Sequence, residues 1–538
     1  MKKYDILYKN GKIFTADDNI PYARAMAVKD GKIAWIGTDG DAAETHEIQA
    51  SELVDLSGRL VLPGFVDSHM HAVMLADCCR KISALPPAVY SIDDLISEIR
   101  KVRSSQKTRE WIQGWGYDEG KLKEHRTPNR YDLDKGCSDS PVIIKRTCSH
   151  VCSVNSKALE MAGVTSDTPD PPGGKIGRFE NGLPNGILYE NGRNVLNGIL
   201  AEKTEEDIAS DLLALDKILL SQGVTTCSEM GEFTDCNYKK IFDIALKKGV
   251  KVKIAAYYMW DSVKDKKDFT ITQEDMSPSN QIRIAGIKLI GDGSVSGRTA
   301  WCDKPYLGSE AEYGMPVCSE QDFEDAIAFC KEHKCQLSIH AMGAKAISRA
   351  IDHTQRHKPW NEGKSPHVRL EHVAMPTEDS VRKASEAGIA FVTQPIFLYA
   401  EIESYLANME LERIRENYPI ADWLKAGVKT AFSTDAPATA WPEPSNPFVC
   451  LKGAVTRKAW DGTDCGSRHR VDIETAVKLY TAQAAAMLGF ENVGILKEGY
   501  SADFIIPDRD ILSISPEDID KAKVEETYIN GKMVYKRS

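Results

Sequence analysis

The middle of the chain alternates two kinds of hydrophobic pattern. Short apolar runs are typical of buried β-strands, and longer segments with apolar residues about every 3.6 positions are typical of amphipathic helices. Helical segments such as EEDIASDLLALDKILLSQG and EQDFEDAIAFCKEH separate most of the strand-like runs. Eight strand–helix units predict an α/β fold, a closed (β/α)8 TIM barrel. The eight strand-like runs are RLVLPGFVDSHMH, VTTCSEM, VKVKIAAYYM, IRIAGIKLI, CQLSIHAM, HVRLEHVAM, IAFVTQPIF and KTAFSTDAP.

The two ends of the chain have a different pattern, with short strands separated by turn signals. Asn10-Gly11 lies between strand-like runs near the start, and Asn530-Gly531 lies between two such runs near the end. Neither end has enough apolar residues to form a core alone. We therefore expect residues 1–60 and 490–538 to form one small β-sandwich domain, with the barrel at 61–489.

A long stretch after the first barrel strand fits neither pattern. It contains the extra strand-like run PVIIKRT and the Gly/Pro-rich DTPDPPGGKIG. We interpret 85–200 as an insertion at the mouth of the barrel. Long insertions at this place shape the substrate pocket.

Composition excludes several classes of protein. The chain has 538 residues, 79 acidic against 68 basic, and a formal charge of −11 without a long basic run. This argues against nucleic acid and anionic membranes as partners. The 13 cysteines contain no CxxC pair, so they indicate reduced thiols. Without a signal peptide or a long apolar segment, we expect a soluble, cytoplasmic protein. The sequence allows a homodimer.

Candidate chemistry begins after the first barrel strand. His69 and His71 are two residues apart, so their imidazoles point to the same side of an extended chain. Barrels place their active sites at this end of their strands, and imidazole is the commonest protein metal ligand. Alone, the pair could equally be two polar residues that meet by chance at a strand end.

Three later strands also end in a polar side chain. His340 follows CQLSI, His372 follows HVRLE, and Asp435 follows KTAFST. One buried histidine could simply be a hydrogen-bonded core residue. Several potential ligands converging on one face of a barrel are difficult to explain by packing, so we favour a metal site.

Lys288 lies within the apolar run IRIAGIKLI. An unpaired ammonium is costly to bury, and a protonated lysine is a poor metal ligand. We favour a lysine that has captured CO2 and become an anionic carbamate, able to bridge two ions. The alternative is a lysine that reaches solvent or pairs with Asp292.

These segments carry the resemblance to a family. VLPGFVDSHMH, GIKLIGDGS, IHAMGAKA, RLEHV, FSTDAP and GILKEGYSADFII resemble motifs of the amidohydrolase superfamily of metal-dependent hydrolases. HVCSVNSKAL, PPGGKIGRFENGLPNGILYE and GDGSVSGRTA resemble its YtcJ-like and N-substituted formamide deformylase-like subgroup. The resemblance extends over nearly the whole chain.

The resemblance implies a binuclear site for divalent ions, most often Zn2+. His69 and His71 would hold the first ion, His340 and His372 the second, and carboxylated Lys288 would bridge them. Asp435 would ligate the first ion and act as general base toward a water whose pKa two cations lower toward neutrality. The implied reaction is hydrolysis of the C–N bond of a small N-substituted amide or formamide.

Other residues are candidates for substrate contact. His150 resembles a catalytic histidine that hydrogen-bonds a carbonyl or oxyanion, although a surface-loop histidine is the alternative. Trp115 and Tyr117 could bind an apolar or aromatic group, or pack within the insertion. Arg298 could meet a substrate carboxylate or form a structural ion pair. Two further candidates for substrate binding are Asn155 and Gln394.

Two alternatives to an amidase stay open. A deaminase or cyclic amidase would use the same metal site and is distinguished by its products. A catalytically silent barrel that binds a small molecule and regulates predicts missing ligands, whereas all six ligand positions are filled here.

Overall fold

The computed structural model describes residues 2–38, 48–86, 88–147, 151–200, 203–231, 238–361 and 365–538. Its central element is an eight-stranded sheet with its strands in sequential order and parallel. This confirms the predicted TIM barrel. The strands are β1 (Phe65–Asp67), β2 (Val224–Glu229), β3 (Lys253–Met259), β4 (Ile282–Ile290), β5 (Gln336–Ala341), β6 (Val368–His372), β7 (Ala390–Thr393) and β8 (Thr430–Phe432).

Hydrogen bonds join the first and last strands at the carboxyl end of the barrel. Ser68 Oγ donates to the carbonyl of Phe432 across 2.8 Å. The backbone N–H of Asp435 donates to the carbonyl of His69 across 2.7 Å, and that of His71 to Ala436 across 2.9 Å. These bonds bring the segments after β1 and β8 together, so the ligands they carry become neighbours.

Helices surround the barrel, and several begin at the residues expected from capping chemistry. Thr204 and Ser319 each accept a hydrogen bond from the third helical backbone N–H, and the aspartate there bonds back. The helices around the barrel are Ala72–Cys78, Glu205–Ser221, Tyr238–Lys248, Trp260–Val263, Glu320–His333, Ala344–Thr354, Glu378–Ala387, Ile396–Ala400, Ile402–Asn408, Leu411–Glu416, Ile420–Lys425, Pro447–Thr456, Ile473–Leu479 and Ala482–Leu488, with 3-10 turns at Ser467–His469 and Pro516–Lys521.

The run RLVLPGFVDSHMH forms two strands, where the sequence indicates one. Leu60–Pro63 pairs with strands outside the barrel, whereas Phe65–Asp67 is β1. Gly64 lies between them, and a Cβ atom there would come within 3.0 Å of Cβ of Thr225. The glycine therefore lets the chain pass close to β2 as it moves from one sheet to the other.

Strands from the two ends of the chain share a sheet beside the barrel. Its order is Lys532–Lys536, Val524–Ile529, Phe504–Pro507, Leu60–Pro63, Lys12–Phe14 and Tyr22–Ala23. A second sheet has the order Lys32–Gly37, Ala25–Lys29, Lys2–Lys9 and Ile48–Asp55. Apolar side chains from both sheets, including Tyr8, Ile13 and Phe504, form one buried cluster.

A third sheet, of six strands, lies mostly within the segment 85–200 and also includes the short strand before it. The order is Gly174–Arg178, Pro184–Glu190, Val151–Val154, Val142–Arg146, Ile112–Tyr117 and Ile82–Ser83. Helices Ile92–Ser105, Arg130–Gly136 and Ser156–Met161, with a 3-10 helix at Asn191–Leu196, accompany it. Within the described residues, no helix combines the length and apolar character that crossing a membrane requires.

Candidate metal centre

The predicted ligands lie at the carboxyl end of the barrel, and the structure brings them together. Five of them are buried, and the side chain of the sixth, His340, is 17% exposed. Their positions follow from the strands: His69 and His71 just after β1, Lys288 in β4, His340 in β5, His372 at the end of β6, and Asp435 just after β8.

Asp435 is the common neighbour of the first two histidines. Its Oδ1 atom lies 3.2 Å from Nε2 of His69 and 3.3 Å from Nε2 of His71. One ligand atom from each of these three residues lies within 4.8 Å of the others. The His372 ring is 4.8 Å from that of His69 and 4.4 Å from that of His340, measured between centroids. The four imidazoles therefore form one continuous cluster.

Three buried polar atoms in this cluster have no hydrogen-bond partner among the described residues. They are Nε2 of His69, Nζ of Lys288 and Oδ1 of Asp435. Buried polar atoms are nearly always satisfied, because an unpaired one costs about 1–3 kcal/mol. Imidazole nitrogen and carboxylate oxygen are both zinc ligands. The donor set therefore fits a divalent metal ion.

The protonation states agree with metal binding. Burial lowers the pKa of His372 well below its usual value, and that of His340 to about 4, so both rings are neutral near pH 7. Burial opposes the charge of Asp435, but the His69 and His71 side chains hold the pKa of its carboxyl well below the usual range. Burial lowers the pKa of Lys288 to about 8. The cluster therefore offers an ionised carboxylate and a lysine that loses its proton more readily than an ordinary lysine.

Glu371 orients His69. Its Oε2 atom lies 2.6 Å from Nδ1 of His69, and Ser338 Oγ donates to its Oε1 across 2.7 Å. Arg369 donates from Nη2 to Oε2 across 2.9 Å. An ionised Glu371 accepts a hydrogen bond from Nδ1–H, which leaves Nε2 as the lone-pair nitrogen facing the cluster.

Glu371 is not among the residues singled out from the sequence, although the sequence contains an indication of its role. Arg369 and Glu371 are two residues apart in β6, so both side chains point to the same side of the strand, between the apolar Val368 and Leu370 and the ligand His372. Opposite charges on the inner face of a barrel strand indicate a buried ion pair.

Gln394 has a positioning role toward His372. Its Oε1 atom accepts from Nδ1 of His372 across 2.8 Å, and its Nε2 donates to Ser433 Oγ across 2.9 Å. The side chain is fully buried. The sequence makes Gln394 a candidate for substrate binding. In the structure, its amide instead holds the His372 ring so that Nε2 of His372 faces the cluster.

His340 is held through its other nitrogen. Its Nε2 lies 3.0 Å from the carbonyl of Gly293 and 3.5 Å from Oδ1 of Asp292. Asp292 accepts backbone hydrogen bonds from Met342 and Gly343, each of 2.9 Å. This arrangement makes Nδ1 the lone-pair nitrogen of His340. Asp292 therefore contacts His340 and the backbone after β5, and not Lys288, which was the alternative partner considered from the sequence.

The three described insertion residues that are candidates for substrate contact lie in three different surroundings. Trp115 packs with Cys78, Leu85 and Ala440 beside the barrel mouth. Tyr117 is fully buried in the core of the insertion. Asn155 is buried as well, and its amide bonds four backbone groups, those of Cys137, Ser140, Val142 and Ala158.

These bonds use the whole hydrogen-bonding capacity of the Asn155 amide, so they leave none for a substrate. His150 lies outside the described residues.

Arg298 is held by the surface of the barrel mouth. Its guanidinium pairs with Glu312 at 2.7 Å and donates to Asn408 Oδ1 across 3.3 Å. The same group lies 5.2 Å from the ring centre of Tyr306. Of the two alternatives for Arg298, the structure therefore contains the structural ion pair, with Glu312 as the partner.

Comparisons with known proteins agree with this geometry. The model of the amidohydrolase family matches residues 52–535. YtcJ of Bacillus subtilis (strain 168), which is named as an amidohydrolase, is 26% identical over 539 residues, covering 99% of each chain. N-substituted formamide deformylase of Arthrobacter pascens is 24% identical over 561 residues, again covering 99% of each chain. An uncharacterized metal-dependent hydrolase from Pyrococcus horikoshii OT3 superposes with a TM-score of 0.76 and 26% identity, over 95% of this chain and 99% of that one.

Proposed function

Because the chain belongs to the amidohydrolase family and is a metal-dependent hydrolase of C–N bonds, we propose that it cleaves a small N-substituted amide or formamide. The observation that carries this proposal is the convergence of buried, unpaired atoms of His69, Lys288 and Asp435. Among the described residues, none of these atoms has a hydrogen-bond partner, and a bound ion would satisfy them together.

Two divalent ions, Zn2+ in the first place, fit the donor set. His69, His71 and Asp435 would hold one ion, and His340 and His372 the other. The neutral rings of His340 and His372, the orientation of His69 by Glu371 and the ionised carboxylate of Asp435 support this division. When bound, such ions lower the pKa of a water and polarise the scissile carbonyl.

Lys288 would supply the bridging group as a carbamate. Its neutral amine attacks CO2, an N–C bond forms, one proton leaves to solvent, and an anion with two oxygens results. Burial supports this reaction, because it lowers the pKa of the amine to about 8. The lack of any hydrogen bond to Nζ within the described residues leaves the amine free to react.

Asp435 would move the proton during hydrolysis. Its ionised Oδ1 accepts the proton that water loses as the water oxygen bonds to the carbonyl carbon. It then returns that proton to the leaving nitrogen as the C–N bond breaks. One water is consumed, and a carboxylic acid and an amine are released. His150 stays a candidate for stabilising the oxyanion.

The test combines metal analysis with a substrate panel. We expect two Zn2+ per chain after purification with zinc, and release of formate or another carboxylate with an organic amine from N-substituted amides. One ion per chain would require a different role for Lys288. Ammonia as the product would indicate a deaminase, and a fully loaded protein that turns over no amide, ester or lactam would indicate a silent binding protein.

A further inference from the structure

Three separate segments meet where the insertion covers the barrel mouth. Trp115 lies in the strand Ile112–Tyr117 and shares a small buried cluster with Ala440, five residues after Asp435. The backbone N–H of Ala440 donates to Oε1 of Glu401 across 3.0 Å. Glu401 lies between the helices Ile396–Ala400 and Ile402–Asn408, in the segment after β7. A carboxylate and an indole therefore border the same short stretch of chain beside Asp435.

Glu401 has unused hydrogen-bonding capacity. The bond from Ala440 is the one hydrogen bond that the described residues make to its side chain. Lys121, whose charge acts on Glu401, donates to the carbonyl of Ala400 across 2.8 Å and lies 3.5 Å from Glu403. The lysine thus contacts other groups, and Glu401 is a residue of intermediate exposure.

Charges of both signs act on Glu401. Burial raises the pKa of Glu401 to about 7, the Ala440 hydrogen bond and Lys121 oppose this shift, and the carboxylates of Asp118 and Asp435 add to it. Asp118 itself faces Arg146 at 3.5 Å. A cation brought beside Glu401 would relieve the repulsion between these carboxylates and hold Glu401 ionised.

We propose that Glu401, with Trp115 as its aromatic wall, forms a subsite for an organic cation, so that the amide substrate carries a protonated amine or guanidinium group away from its scissile bond. A carboxylate binds such a group through charge-assisted hydrogen bonds, and an indole attracts a cation. This inference rests on the proposed amidase function for the nature of the substrate.

Binding of two matched probes to the zinc-loaded protein tests the subsite without turnover. Benzylguanidinium keeps its charge at pH 8 and offers no lone pair to a metal, whereas benzylurea has the same shape and no charge. By calorimetry, we expect benzylguanidinium to bind at least about tenfold more tightly than benzylurea. Equal affinity of the two probes for the wild-type protein would overturn the proposal, whatever the variants do.

Glu401→Gln keeps the size of the side chain and an oxygen for the Ala440 N–H. It should weaken benzylguanidinium binding about tenfold and change benzylurea binding less than about threefold. Glu412→Gln is the matched control, because Glu412 lies in the same segment with a side chain 81% exposed, and it should bind both probes as wild type does. Equal weakening of both probes by Glu401→Gln would show a merely structural role and contradict the subsite.

A paired activity assay separates this inference from the proposed function. N-(4-aminobutyl)formamide should be hydrolysed with a higher kcat/KM than N-pentylformamide by wild type, and Glu401→Gln should remove the difference. Hydrolysis of both without preference would refute the cation subsite alone. Probe discrimination without hydrolysis of any amide would refute the amidase proposal alone.

Discussion

Nδ1 of His69 lies 2.6 Å from Oε2 of Glu371, a carboxylate that Arg369 and Ser338 also bind. This contact decides which nitrogen of His69 faces the other ligands. Nδ1–H of His69 donates to this carboxylate, so Nε2 points toward Asp435 with its lone pair. A group that binds no metal itself thereby determines how a ligand is presented.

Glu371→Gln should weaken metal binding by about 10- to 100-fold, because an amide is a poorer acceptor for the Nδ1 proton and orients the ring less firmly. Competition with a chromogenic chelator measures the affinity. Glu378→Gln is the control on the surface of the following helix, where the side chain is exposed. Wild-type affinity in Glu371→Gln would show that this contact does not support the metal centre.

Gln394→Leu should loosen the second ion by about 10- to 100-fold, because His372 loses the acceptor for its Nδ1 proton. Gln394→Glu keeps an acceptor at the same position and should retain the ion. Metal content per chain after dialysis against a chelator gives the comparison. A deficit of metal in both variants, or in neither, would contradict a positioning role for Gln394.

Asp435→Asn should retain most of the bound metal but lose at least about 100-fold in kcat, the scale expected when a general base is lost. Steady-state kinetics on a hydrolysed amide and metal analysis of the same preparation check both statements. Asp325→Asn, on an exposed position of Glu320–His333, should behave as wild type. Near-normal turnover by Asp435→Asn would remove Asp435 from this role.

Lys288→Ala should abolish the carbamate and most activity, and acetate or propionate should restore part of it by supplying a carboxylate to the vacated space. Carbon-13 NMR after incubation with labelled bicarbonate should show a carbamate signal in wild type and none in the variant. A Lys288→Ala protein with full activity and full metal content would exclude the bridge.

Carboxylation of the metal-free protein should depend on pH through the neutral fraction of Lys288. Burial lowers the pKa of this amine to about 8. Below that pH the amine is mainly protonated, so the rate of carbamate formation at constant dissolved CO2 should fall about tenfold per pH unit. Above it, the rate should level off. Stopped samples analysed by the same NMR signal give the rate, and a profile without a change in slope near pH 8 would contradict the expectation.

Much of the barrel and its ligands could be predicted from local pattern. The apolar strands that end in His340, His372 and Asp435 indicate both the fold and the site. Burial requires their apolar residues, and the carboxyl ends of parallel strands meet on one face of the barrel, where the polar end residues become neighbours. Gly64 shows the limit of this reasoning. The pattern of RLVLPGFVDSHMH is continuous, and only the close approach of Thr225 explains why the chain changes sheets there.

The roles of the supporting residues depended on contacts that no local pattern contains. Gln394 lies at a strand end, as a pocket residue would, yet it hydrogen-bonds His372. Asn155 uses all the hydrogen-bonding capacity of its amide on backbone groups. The residue type and its position at a strand end therefore predicted which side chains carry ligand atoms, because both can be seen in a single short stretch of sequence. Which side chains orient those ligands, and which carboxylate faces the barrel mouth, was decided by packing between segments far apart in the chain.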